Sequence, residues 1–166
     1  MNADQLRAVQ ASLKEKYRHD AAAAIVTMHA TGTLGEGTAC TVETEHVTVV
    51  SKLHPAAGGD GSGACSGDML LAALVACAGV TLNVVATAMG IELKNAVVEA
   101  EGDVDFRGTL GVSKEVPVGM QNVRLNFQLD TDASSEQVDK LLKLTERYCV
   151  IFQTLVHPPT VTVTRT

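Results

Sequence analysis

The chain has 166 residues, 46% hydrophobic, 3% aromatic and 19% charged, with 13 Lys and Arg against 19 Asp and Glu for a formal net charge of -6. A chain of this length buries roughly two-thirds of its unfolded surface in one core, so neither a disulfide framework nor a metal is needed to hold it together. The acidic balance argues against nucleic-acid or anionic-membrane partners, which demand clustered cations, and the absence of Trp removes a base-stacking platform. A composition this apolar also predicts that part of the surface is hidden in an oligomer.

In chain order, Leu6, Val9, Leu13 and Tyr17 recur at three- and four-residue steps among Gln, Lys, Glu and Ala, which predicts an amphipathic helix over residues 3–18. Residues 22–31 and 38–50 are rich in Val and Thr, with Gly32, Gly35 and Gly37 between them, and read as strands of a hairpin or meander. Residues 55–68 form a glycine-dense loop that runs into the longest apolar segment. Residues 69–89 carry no charge, follow Ser66 and Asp68 as capping residues, and stop at Gly90. Such a helix spans about 30 Å at roughly 1.5 Å per residue, and being apolar all round it should be covered on several sides. Its length approaches that of a membrane span, but no second span, aromatic belt or cationic flank accompanies it, so a buried helix is expected.

Residues 91–106 alternate Val97, Glu99, Glu101, Asp103 and Asp105 against Val98, Ala100, Val104 and Phe106, a half-buried strand with Gly102 as a bulge position. Residues 123–129, Val-Arg-Leu-Asn-Phe-Gln-Leu, alternate cleanly and give the least ambiguous strand. Ser134 or Ser135 then opens a helix with Val138, Leu141, Leu142 and Tyr148 on one side; residues 150–156 make a further short helix and residues 160–165 a last strand after Pro158 and Pro159. With no repeat or linker, residues 1–166 read as a single α+β domain, residues 1–20 forming an N-terminal helical extension.

Four cysteines stand at Cys40, Cys65, Cys77 and Cys149, and no two make a C-x-x-C pair, which argues against zinc and against a thioredoxin-type site. The first 20 residues lack the apolar core of a signal peptide, so a cytoplasmic protein with reduced thiols is expected. In that setting a cysteine is either a small buried hydrophobe or a working thiol. Cys77 lies within the apolar helix, where desolvation disfavours the thiolate unless a cation, a helix N-terminus or a hydrogen bond supports it. Cys149 opens a helical segment, at the positive end of its dipole, with Arg147 nearby. Cys40 reads as core and Cys65 as a loop thiol. Gly61, Gly63 and Gly67 give G-x-G-x-x-x-G, one residue too long for a dinucleotide fingerprint, and no Gly-Lys-Ser/Thr follows.

The block Gly63-Ala-Cys-Ser-Gly-Asp-Met-Leu-Leu-Ala-Ala-Leu-Val-Ala-Cys77-Ala-Gly-Val-Thr-Leu resembles the signature of the OsmC/Ohr family, a glycine-rich loop and an acid before a helix written LLLAALAAC. A second cysteine follows a helix near the C-terminus of that family, and Leu141-Leu-Lys-Leu-Thr-Glu-Arg-Tyr-Cys149-Val stands in its place. The resemblance covers most of residues 20–165. It implies an OsmC-like fold, an antiparallel sheet with a long central helix in an intertwined homodimer, and no cofactor or metal. It further implies thiol-based reduction of organic hydroperoxides, with Cys77 as the peroxidatic residue, Cys149 resolving its sulfenic acid as a disulfide, and a dithiol reductant reopening the bridge.

The match has departures. In the peroxidase branch a Glu ten residues before the first cysteine pairs with an Arg on an N-terminal strand; here position 67 is Gly, the acid is Asp68, and residues 21–50 contain no arginine. Val150 follows Cys149 where the family often has Pro. Arg147, Arg18, Arg107, His54 and His29 are the candidate cations, and Asp68 either orients one or caps the helix. The competing expectation is a non-catalytic dimer of the same fold that binds a small hydrophobic molecule between subunits.

Overall fold

The computed structural model describes residues 2–165, which divide into two compact units. The first gathers the chain up to Ser12, Ala73–Ala100 and the chain from Leu125; the second holds Leu13–Ala72 and Glu101–Arg124. Helix α1 (Ala3–His19) opens the chain and has no buried residue; Val9, Leu13 and Tyr17 of the expected stripe are exposed.

The second unit is built around a three-stranded antiparallel sheet, β1 (Thr31–Leu34), β2 (Cys40–Glu43) and β3 (Thr48–Ser51), in that spatial order. Thr31 faces Glu43 and Leu34 faces Cys40 in the first ladder; Cys40 faces Ser51 and Glu43 faces Thr48 in the second. Two corrections to the sequence reading arise here. Residues 22–30 hold no strand, only the 3₁₀ turn Ala22–Ala24 and extended backbone, and residues 38–50 split into two strands rather than one. The split falls at Thr44, whose N–H donates to the Val47 carbonyl at 2.9 Å and whose Oγ1 accepts the Val47 N–H at 3.1 Å. A threonine hydroxyl thus makes a two-residue hairpin turn without Gly or Pro, the usual punctuation.

Helix α2 (Ser66–Met89) is the longest element, and Gly90 ends it in the left-handed conformation at φ 68° that favours glycine. Its N-cap is Cys65, one residue earlier than the sequence reading put it. The Cys65 carbonyl accepts the Met69 N–H at 3.1 Å, its Sγ accepts the Gly67 N–H at 3.3 Å, and its own N–H donates to Asp68 Oδ2 at 3.3 Å. Sulfur here takes the place of the usual capping hydroxyl, serving the second N–H of the helix, while the carboxylate of the third residue reaches back to the Cys65 N–H. Strands β4 (Asn95–Asp103) and β5 (Gln121–Asp130) pair in a second sheet, and the short helix α3 (Phe106–Thr109) lies between them in sequence. The cross-strand pairs Asn122–Asp103, Arg124–Glu101 and Gln128–Glu99 run in opposite sequence senses, as an antiparallel ladder requires. Gly102 is needed for close approach: a Cβ there would lie 2.5 Å from the Met120 sulfur.

The chain closes with α4 (Ser135–Tyr148) and α5 (Val150–Val156). Ser134 caps α4, accepting the Gln137 N–H while the Gln137 side chain accepts the Ser134 N–H at 3.0 Å. In the first unit, Leu82, Val85 and Ala86 of α2 pack with Ile91 and Leu141, and Val98 of β4 with Phe127 and Leu129 of β5 lie against them. Leu74 and Ala78 extend the buried stripe of α2 at four-residue steps. Leu70, Val80 and Val84 of the same helix are exposed, Val80 at 67%, and by length and composition α2 is apolar enough to cross a bilayer. The expected last strand over residues 160–165 is not formed; Val161 and Val163 are 82% and 90% exposed. A strand needs a neighbouring strand, and this segment pairs with none among the described residues.

Candidate active site

Cys77 and Cys149, 72 positions apart in sequence, come together in the first unit. Cys77 projects from α2 and is half-buried, whereas Cys149 is 1% exposed, and both are free thiols. Cys149 is the single residue between α4 and α5. Its N–H donates to the Thr145 carbonyl at 2.9 Å and ends α4, while its carbonyl accepts the Gln153 N–H at 2.9 Å and starts α5. Its Sγ accepts the Phe152 N–H at 3.5 Å. The position is fixed by Thr145, buried with Leu141 on one face of α4 and donating to the Leu141 carbonyl at 2.9 Å.

The two thiols differ in the direction their environment pushes them. Burial works against the Cys77 thiolate, but the neighbouring Ile151 N–H, Cys149 thiol, Val150 N–H and Thr81 hydroxyl favour it, and the net effect lowers its pKa. Burial is also the largest influence on Cys149; the Phe152 N–H opposes it, Cys77 adds to it, and the result is a raised pKa. The two environments thus push the pair in opposite directions, Cys77 toward the thiolate and Cys149 toward the thiol. The donors that favour the Cys77 thiolate are neutral groups: backbone N–H groups at the start of α5 and side chains of Cys149 and Thr81.

The other residues singled out in the sequence lie as follows. Asp68 is exposed and receives the Cys65 N–H in the cap of α2. Arg147 is exposed on α4 with its guanidinium 5.4 Å from the centroid of the Tyr148 ring. Arg18 pairs with Glu15, Arg107 with Asp105, and His54 stacks on Phe106 with ring centroids 4.9 Å apart. Cys40 sits in β2 with its sulfur 3.1 Å from where a Cβ on Gly32 would lie. Among the described residues, no three His, Cys, Asp or Glu side chains gather into a metal-holding group. Thr81 and the first turn of α5 were missed from sequence. Thr81 was within reach of helical periodicity, standing four residues after Cys77 on the same face.

A family model described as OsmC-like protein matches residues 59–164. No curated protein matches the chain. Among solved structures, an OsmC-like protein from Mycoplasma pneumoniae superposes with a TM-score of 0.69 at 17% identity, over 80% of this chain and 89% of that one. An organic hydroperoxide resistance protein from Elizabethkingia anophelis gives 0.66 at 18% identity, over 81% and 91%. The organic hydroperoxide resistance protein OhrB of Bacillus subtilis gives 0.54 at 18% identity, over 80% and 93%. At these identities the structures speak for a shared α+β fold with antiparallel sheets. The family match covers well over half of the sequence, both cysteines of the site fall inside it, and the chain belongs to the OsmC-like protein family.

Proposed function

We propose that the protein is a two-cysteine thiol peroxidase acting on organic hydroperoxides. The observation that carries this is the pair itself: a half-buried thiol on α2, its pKa lowered, next to a fully buried thiol at the junction of α4 and α5. The Cys77 thiolate attacks the terminal oxygen of ROOH, the O–O bond breaks, and the alkoxide leaves as alcohol after taking a proton, leaving Cys77 as a sulfenic acid. The Cys149 sulfur then displaces hydroxide from the sulfenic sulfur, water is released, and an intrachain disulfide remains. A dithiol reductant returns both thiols by exchange. No cofactor enters.

On this reading hydrogen-bond donors do the work that an arginine would otherwise do for the thiolate, which accounts for the lack of arginine over residues 21–50. We assign Asp68 to capping of α2 and Arg147 to the exposed face of α4, each a positioning residue at most. The reading also takes residues 1–166 as one domain, with α1 as its extension, working as a homodimer in the cytoplasm. Two features support the homodimer: the exposed Leu70, Val80 and Val84 of α2, and the exposed valine-rich segment around Val161 and Val163, which pairs with no strand among the described residues.

The experiment is a thiol titration with cumene hydroperoxide. One equivalent is expected to consume Cys77 and Cys149 together, Cys77→Ser to abolish consumption, and Cys149→Ser to stop at a sulfenic acid trapped by dimedone. Survival of both thiols in excess peroxide would overturn the enzyme reading in favour of a non-catalytic dimer of the same fold.

A further inference from the structure

Helix α5 has seven residues, too short to hold itself by its own hydrogen bonds. The N–H groups of its first turn find no acceptor inside the helix and must be met from outside. Here they are met by sulfur. The Phe152 N–H donates to Cys149 Sγ at 3.5 Å, and the N–H groups of Val150 and Ile151 in the same turn favour the thiolate of Cys77 beside it. Beyond that turn, α5 is tied to α4 by the Gln153 side chain, whose Nε2 donates to the Glu146 carbonyl at 2.8 Å.

The same two sulfurs are those that the proposed reaction joins. A thiolate or thiol sulfur is free to turn toward an N–H, and the anion makes charge-assisted bonds. A disulfide sulfur has both valences filled, carries no charge and has its torsions set by the bridge, so it is a weak acceptor in a direction it does not choose. Access poses a second problem. Reduction requires a thiolate to reach one of the two sulfurs, and Cys149 is 1% exposed under the start of α5.

We propose that α5 is a redox-released gate: the two reduced sulfurs cap its first turn, and formation of the Cys77–Cys149 disulfide uncaps that turn and opens the way for the reductant. The proposal rests on the reading that these two cysteines form a disulfide, and it adds how that disulfide becomes reachable. In the step that opens the gate, the sulfenic acid of Cys77 and the thiol of Cys149 give the disulfide and one water. In the step that closes it, an external dithiol attacks, passes through a mixed disulfide, and leaves as its own cyclic disulfide with both protein thiols restored.

Hydrogen–deuterium exchange on the full chain tests this, comparing peptides from α4 and α5 before and after oxidation. Two oxidants are used in parallel: one equivalent of cumene hydroperoxide, and diamide, which joins thiol pairs without peroxidase chemistry. Peptide mass mapping verifies the Cys77–Cys149 link. Loss of a cap at the usual strength should speed exchange over residues 150–152 by about five- to tenfold, leave the Leu141 turn of α4 unchanged, and reverse with dithiothreitol. Cys149→Ser keeps an N-capping oxygen but cannot form the bridge, so, treated with diamide alone, which puts no sulfenic acid on Cys77, its α5 exchange should not change.

Unchanged or slower exchange of α5 in the linked protein overturns the gate, as does acceleration in Cys149→Ser treated with diamide. A link and faster exchange with diamide, but no link with the peroxide, supports the gate and overturns the peroxidase reading. Failure of both oxidants to join the pair overturns both.

Discussion

Cys77 and Cys149 are near enough to shift one another's pKa, and their surroundings drive the two apart: down for Cys77, up for Cys149. Geometry agrees with these directions, since Cys77 is half-buried on α2 while Cys149 is enclosed between α4 and α5. The expected consequence is that alkylation by iodoacetamide starts, as pH is raised, at a lower pH for Cys77 than for a free thiol and at a higher pH for Cys149. Ultraviolet absorbance of the thiolate checks the same order.

A lowered thiol pKa in the folded chain carries a definite sign for stability. The folded state holds the Cys77 thiolate better than the unfolded state does, so this residue's contribution is fully present above the ordinary thiol pKa and is lost as pH falls through the folded value. Cys149 has the opposite sign: its contribution is present below the ordinary thiol pKa and fades as pH rises through its raised folded value. Urea titrations of Cys77→Ser and Cys149→Ser across pH 6 to 10 should therefore lose opposite slopes relative to the parent; parallel curves would contradict the assignment.

Thr81→Val removes one donor from the Cys77 sulfur while conserving side-chain shape. A hydrogen bond to a charged group is worth about 1.5–3 kcal/mol, so the rate of peroxide consumption at neutral pH should fall by about tenfold or more, with recovery at higher pH as the thiolate forms unaided. Thr81→Ser should restore the neutral-pH rate. A rate that falls equally at all pH values would place the defect in packing instead.

Leu141 is fully buried, touching the core formed by Leu82, Val85, Ala86 and Ile91. Leu141→Ala should destabilise the chain by about 2–5 kcal/mol in urea unfolding with an unchanged m-value. Ser134→Ala, which removes only the cap of α4, should cost about 1 kcal/mol.

Two glycines offer a contrast between backbone and side-chain obstruction. A Cβ on Gly59 would lie 1.7 Å from the Leu53 carbonyl oxygen, where only backbone movement gives relief. At Gly102 the obstacle is chiefly the Met120 side chain, which has rotamers to spare. Gly59→Ala should therefore lower the melting temperature by several degrees more than Gly102→Ala, as scanning calorimetry would record.

Local chemistry in the sequence determined much of this protein. The uncharged run before Gly90 wrote α2, the strict alternation over residues 123–129 wrote β5, Ser134 and Gln137 wrote the start of α4, and the two cysteine contexts pointed to the family and to Cys77 and Cys149 as partners. What remained illegible either lacked the usual local signal or depended on groups distant along the chain. The Thr44 turn carries no Gly or Pro, the extended segments at residues 22–30 and 160–165 have strand composition without an adjacent strand, and the cap of α2 is a cysteine. Above all, the sequence offered several cations for the thiolate and no basis for choosing among them. The tertiary structure brings the neutral N–H groups at the start of α5 beside Cys77 instead, where they lower its pKa, because their placement follows from how α2, α4 and α5 pack, and no pattern along one segment encodes it.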